Sequence, residues 1–171
     1  MMHVHALHYR HPRPETDEEG LTPYEALIRT QERSREADEA ERETVAALAH
    51  RMYGAMLSFL GCDNKKLVMG IMILPERQTY YDFMLLLRLD DGLELRLTMR
   101  IQPGDPFEMV ILTEEGNPLS RCAFPPPTET TEEAARARAE ATTQCFSDFV
   151  ASLRGKLEHQ VRTWTEKRAI Y

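Results

Sequence analysis

Between residues 81 and 101 the side chains change character at every second position. Tyr81, Phe83, Leu85, Leu87 and Leu89 share one parity, and Leu93, Leu95, Leu97, Met99 and Ile101 alternate with Glu94, Arg96, Thr98, Arg100 and Gln102. A period of two is that of an extended strand with one buried face. Phe107, Met109 and Ile111 continue it downstream, and the apolar run Leu67 to Leu74 supplies a further strand upstream. Outside this region the period lengthens. Val45, Leu48, Met52, Met56 and Phe59 recur at three and four residues, as do Phe146, Phe149, Val150, Leu153, Leu157, Val161 and Trp164. Each set is the apolar stripe of a helix. The pattern predicts an α+β fold: a four-stranded antiparallel meander with long N-terminal and C-terminal helices packed on it.

The helix boundaries carry their own chemistry. Thr22 can cap the first helix, Pro23 suits its first position, and Glu25 completes a capping box. Gly61 ends it in the manner of a left-handed cap. The segment RTQERSREADEAERET is polar on nearly every face, so the first half of this helix is predicted to project into solvent or meet a partner. Thr130 with Glu133 forms a second capping box at the start of the last helix, after Pro125, Pro126 and Pro127 have separated it from the sheet.

Hydrophobic matching predicts a register. If Asp90-Asp91-Gly92 is a three-residue hairpin loop with Gly92 left-handed, Leu89 faces Leu93 and the leucines of both strands fall on one side. The same register sets Asp82 opposite Arg100 and Arg88 opposite Glu94 on the other face. If Gln102-Pro103-Gly104-Asp105-Pro106 closes the next hairpin, Ile101 pairs with Phe107 and Arg100 with Glu108. Each opposite-charge pair adds a few tenths of a kcal/mol. The second face is mixed: Met72, Met84, Leu86, Val110 and Leu112 stand beside Arg96 and the ion row Asp82, Arg100, Glu108. So many large apolar side chains are not expected on a fully solvated face, so a cover is predicted. The first helix, a second copy or a foreign protein would each serve.

Composition narrows the function. The 171 residues allow one well-buried core, so residues 22–171 are expected to form a single α+β domain after a His-rich N-terminal strand or flexible segment, 1–21. Lys+Arg 21 against Asp+Glu 28 gives a net charge of -7, which disfavours direct nucleic-acid binding. Cys62, Cys122 and Cys145 show no CxxC or CxxH spacing, so neither a disulfide framework nor a structural zinc site is indicated. The first twenty residues hold no continuous apolar run, and no signal peptide or spanning helix is predicted. A cytoplasmic protein, away from the membrane, is expected.

Candidate chemistry is sparse. His3 and His5 would share one side of a strand, with His8 and His11 nearby, but two ligands without a placed carboxylate or third histidine make a poor metal site. The arginine between Asp82 and Glu108 would keep both carboxylates ionised, which suits an ion row better than general acid–base work. His50 and His159 have no GxSxG or HExxH motif around them, and the glycines are too scattered for a phosphate loop. No cofactor is predicted. Nine methionines, among them Met72 and Met84, offer adaptable apolar surface.

The expectation is therefore a non-enzymatic protein-interaction module, a homodimer that binds a protein partner through the second sheet face and the first helix. In architecture, the small acidic helix-sheet-helix order resembles the class I type III secretion chaperones, a likeness that implies a dimer wrapping an effector segment. That family has a helix within the strand series where Gln102 to Pro106 is a tight loop here. A second form of the binding reading is an acidic, anti-CRISPR-type inhibitor of a nucleic-acid enzyme. It would present Glu15, Asp17, Glu18, Glu19 and Glu36, Asp38, Glu39, Glu41, Glu43, although Arg33, Arg35 and Arg42 interrupt them. The alternative from another class is a small metal-dependent or hydrolytic enzyme using the N-terminal histidines.

Overall fold

The computed structural model describes residues 16, 18–73, 79–89 and 92–168, with side chains for all of these except 71–73 and 161–168. Helix α1 spans Pro23–Leu60, five strands follow as β1 Leu67–Ile73, β2 Tyr81–Arg88, β3 Glu94–Gln102, β4 Phe107–Thr113 and β5 Pro118–Phe124, and α2 spans Glu132–Arg168. The strands form one antiparallel sheet in the order β1-β2-β3-β4-β5. The chain divides into two compact units, 1–42 and 43–171, so that α1 contributes to both. The α+β class with its flanking helices is as predicted, but the sheet has a fifth strand, β5.

Local chemistry accounts for the helix ends. Thr22 Oγ1 accepts from Glu25 N–H at 3.3 Å while Glu25 Oε2 accepts from Thr22 N–H at 2.8 Å, a reciprocal capping box. At the other end Gly61 has φ 64, Gly61 N–H donates to Ser58 C=O at 3.3 Å and Cys62 N–H to Leu57 C=O at 3.2 Å, a Schellman cap. For α2 the cap lies one residue later than the sequence suggests: Thr131, not Thr130, accepts from Ala134 N–H at 3.1 Å. The proline segment is tied to α2 by Arg138, whose Nη1 donates to Pro126 C=O at 2.8 Å.

In the unit 43–171 the core lies between one face of the sheet and the stripes of both helices. Val45, Leu48, Met52 and Met56 of α1 and Phe146 and Phe149 of α2 share a cluster with Phe83, Leu85, Leu97, Met99, Ile101, Met109 and Ile111. Polar groups admitted to this core are matched. Tyr53 OH donates to Leu67 C=O at 2.7 Å, and the Thr142 hydroxyl lies 3.4 Å from Met52 Sδ. Among the described residues no buried side-chain nitrogen or oxygen lacks a partner.

The β2–β3 register is the predicted one, with Asp82 opposite Arg100, Leu85 opposite Leu97 and Arg88 opposite Glu94. Leu89 N–H donates to Leu93 C=O at 2.9 Å and Gly92 has φ 77; Asp90 and Asp91 lie outside the described residues. A Cβ at Gly92 would meet nothing within 4 Å, so only backbone strain opposes a side chain there. Gly92→Ala should therefore lower the unfolding free energy by about 1–2 kcal/mol, read as a shift of the urea midpoint at constant slope.

The β3–β4 register differs from the prediction by two residues. Ile101 pairs with Met109, Arg100 with Val110 and Gln102 with Glu108, rather than Ile101 with Phe107 and Arg100 with Glu108. A shift of two keeps every side chain on its face, so apolar matching cannot detect it. The β1–β2 register shifts between Met69, which opposes Leu85, and Met72, which opposes Phe83.

Candidate partner-binding surface

The second face of the sheet is built from the residues that the core leaves over. Across the strands, Asp82 stands opposite Arg100, Arg100 opposite Val110 and Val110 opposite Arg121. The next row holds Met84, Thr98, Leu112 and Pro118, and the one after it Val68, Leu86 and Arg96. Glu108 falls outside the first row, so the predicted ion row is a pair: Asp82 and Arg100.

That pair is the strongest electrostatic feature of the face. Arg100 Nε and Nη2 donate to Asp82 Oδ1 and Oδ2, each at 2.8 Å, and the guanidinium carbon lies 3.7 Å from the centroid of the Tyr80 ring. The fork matches the carboxylate in plane, and the aromatic ring adds a cation–π contact. The hydrogen bonds to Asp82 hold the Arg100 pKa above its usual value against the opposing effect of burial. Arg88 Nε reaches Glu94 at 3.0 Å, and Arg96 Nη1 reaches Glu114 at 3.4 Å. Three arginines of the face are therefore ion-paired, and a partner cannot recruit them without breaking those bonds.

Apolar side chains sit between the ion pairs. Met84 is 47% exposed, Val68 and Leu86 are half-buried, and Val110 and Leu112 are 8% and 9% exposed. Gly70 flanks Met84; a Cβ there would lie 3.6 Å from Met84 Cβ. Of the residues predicted to bind a partner, Met84, Leu86, Arg96, Val110 and Leu112 share this face, whereas Met72 opposes Phe83. Val68, hidden in an unbroken apolar run, belongs to the face unannounced.

A second feature has no counterpart in the sequence reading. A groove of about 920 Å³ opens at the end of the sheet, where Leu60, Leu87 and Leu89 face Val150, Leu153 and Leu157 of α2. Asp63, Lys66, Arg88, Arg154 and Glu158 line it as well. Its walls come from the end of α1, the end of β2 and the second half of α2.

No family model, curated protein or solved structure matches the chain. Cys62 lines the groove, but burial, then the nearby Asp63 charge, pushes its thiol up, which suppresses the nucleophilic thiolate. Cys122 and Cys145 lie together between β5 and α2, and Cys145 Sγ is 3.3 Å from Ser120 Oγ. The Cys145 sulfur, with burial, holds the Cys122 thiol protonated. His50 and His159 are both exposed on helix surfaces. Among the described residues no group of three or more histidine, cysteine, aspartate or glutamate side chains could hold a metal; His3 and His5 lie outside them. No described helix is long and apolar enough to cross a membrane.

In the unit 1–42, the first half of α1 is exposed at every position except the half-buried Ala26, and Tyr24 and Leu27 are among its exposed residues. Arg29 is ion-paired with Glu19, and Arg35 lies 3.8 Å from Glu39. The acidic run is thus partly neutralised by its own arginines.

Proposed function

We propose that the chain is a non-enzymatic protein-binding module, acting as a homodimer, whose second sheet face receives an apolar segment of another protein. The observation that carries this reading is Met84, nearly half exposed in the middle of β2 beside Val68 and Leu86 and bordered by ion-paired arginines. An exposed methionine on a flat strand surface adapts to varied apolar side chains, and the surrounding ion pairs penalise partners that bring unmatched charge. The polar half of α1 offers a separate charged surface, and a partner held there would be lost with added salt. A partner held on the sheet face would be far less salt-sensitive. A cytoplasmic setting belongs to the same reading, supported by three free thiols.

The test is capture from native-host extract with the wild-type chain and with Met84→Glu, followed by mass spectrometry. The variant is expected to keep its thermal midpoint, because Met84 is outside the core cluster, and to lose the captured protein at both low and high salt. Undiminished capture by the folded variant would eliminate the sheet face as the docking site.

A further inference from the structure

We infer that Cys122 and Cys145 form a dithiol switch: two-electron oxidation by a small-molecule disulfide joins the two sulfurs and pins α2 to the end strand of the sheet. The switch uses neither the sheet face nor the groove, so it stands or falls apart from the binding reading.

Its basis is where the strand and the helix meet. β5 is the end strand of the sheet, and α2 packs on it. Ser120 stands opposite Ile111 and Cys122 opposite Met109, both of these partners being fully buried, so the two β5 side chains are directed to the core side. Cys145 lies on the buried stripe of α2 with Thr142, Phe146 and Phe149 and is 1% exposed. Its sulfur is 3.3 Å from Ser120 Oγ and accepts a hydrogen bond from the Cys122 thiol. Sulfurs already in hydrogen-bonding reach close to a bond of about 2 Å chiefly by side-chain rotation.

The polar setting separates this contact from two cysteines that merely fill a core. The thiolate is the reactive form of cysteine, and burial alone suppresses it. At Cys145 the hydrogen bond from Cys122 lowers the pKa, burial opposes it, and the hydrogen bond with Ser120 lowers it further. The same contact, with burial, keeps the proton on Cys122. The pair therefore accommodates one negative charge on the sulfur that solvent does not reach, while the half-buried Cys122 is the sulfur that a reagent meets first. Cys62 is set apart, because it lines the groove, to which neither member of the pair contributes.

The exchange balances with a disulfide RSSR of the glutathione class as oxidant. Solvent takes one proton from the pair, and the remaining proton passes along the sulfur–sulfur hydrogen bond to Cys145. The Cys122 thiolate then attacks one sulfur of RSSR, whose S–S bond breaks as the mixed disulfide forms and RS⁻ leaves. Cys145 gives its proton to that RS⁻, and its own thiolate, with the Ser120 hydroxyl donating to it, attacks the Cys122 sulfur. The bond between Cys122 and RS breaks, and the second RS⁻ takes a proton from solvent. Two protein thiols are oxidised to one disulfide, and one RSSR is reduced to two RSH. The cross-link closes a loop of roughly twenty residues containing Pro125 to Pro127 and the start of α2, so helix and strand cannot separate until it is reduced.

The experiment is incubation of the full-length chain with oxidised glutathione, alkylation of the remaining thiols in denaturant, and mass spectrometry of the intact and digested protein. The expected product keeps one alkylatable thiol, Cys62, and yields a peptide pair joined through Cys122 and Cys145; dithiothreitol should return all three thiols. Its thermal midpoint should rise by about 5–10 °C. Cys145→Ser should stop at the glutathione adduct of Cys122, and Cys122→Ser should take no adduct at Cys145. Ser120→Ala should still cross-link, but its mixed disulfide should persist about fivefold longer. Should a variant fail to fold, the thiol count of the wild-type chain decides the matter. Three free thiols after prolonged treatment, or a cross-link that uses Cys62 or joins two chains, would overturn the inference.

Discussion

Phe146→Ala should lower the unfolding free energy by about 3–5 kcal/mol, the range for deleting a fully buried aromatic side chain. Phe146 is buried in the cluster where α1, α2 and the sheet meet, and its ring centroid is 5.8 Å from that of Phe59. Truncation removes contacts on all three sides. The rigid helices and strands around it cannot close the void, so the cavity cost adds to the lost transfer free energy. Against a typical total of roughly 5–15 kcal/mol, the loss is large enough to threaten folding at physiological temperature. At about 2–4 °C per kcal/mol for a chain of this size, the midpoint should fall by roughly 10 °C. Phe59→Ala is the control: that residue is exposed, and its removal should cost about 1 kcal/mol. Equal losses from the two substitutions would contradict the central position of Phe146.

The second large effect is expected at Arg100. Its side chain is 32% exposed and that of Asp82 17%, so the bidentate pair is partly shielded from water and salt. Arg100→Met leaves the Asp82 carboxylate short of solvent and without its two donors, at a cost of about 1–3 kcal/mol. Asp82→Asn should cost less, because an amide oxygen still accepts from the guanidinium. In the double variant the penalties should not add, and a coupling energy of about 1–2 kcal/mol is expected from the cycle. The exposed pair Arg96–Glu114, at 3.4 Å, should give no more than about 1 kcal/mol in the same experiment. Strictly additive losses at Asp82 and Arg100 would mean that the pair is ornamental.

These two sites also show why some features of the fold could be read from the residues and others could not. Between Tyr81 and Ile101 one wholly apolar parity in each strand and a turn glycine leave one register that puts every core residue on one side, and Asp82 opposite Arg100 follows from it. The β3–β4 pairing had no such guide, since a two-residue slip preserves both faces and the loop Pro103 to Pro106 does not specify which pair closes it. Leu67–Ile73 contains no polar residue to mark the faces, so the register shift between Met69 and Met72 leaves no trace in the pattern. β5 escaped for the opposite reason. It opens with Pro118, breaks its alternation between Pro118 and Ser120, and turns Ser120 inward against Cys145. The stripe of α2 was visible as far as Trp164, but the groove was not, because its lining comes from three segments far apart in the sequence.

The strand order has a last consequence, for the time course of synthesis. Each strand joins the one made just before it, so the sheet can assemble hairpin by hairpin as the chain appears. Helix α1 gains only part of its cover in this way: Tyr53 meets Leu67, 14 positions later, but Met52 meets Thr142, 90 positions later. At about 5–20 residues per second, roughly 5–20 s separate the emergence of Met52 and Thr142 from the ribosome. Throughout that interval Val45, Leu48 and Met56, like the core face of the sheet, lack the cover that Phe146 and Phe149 will supply, and the nascent chain passes through its most aggregation-prone state.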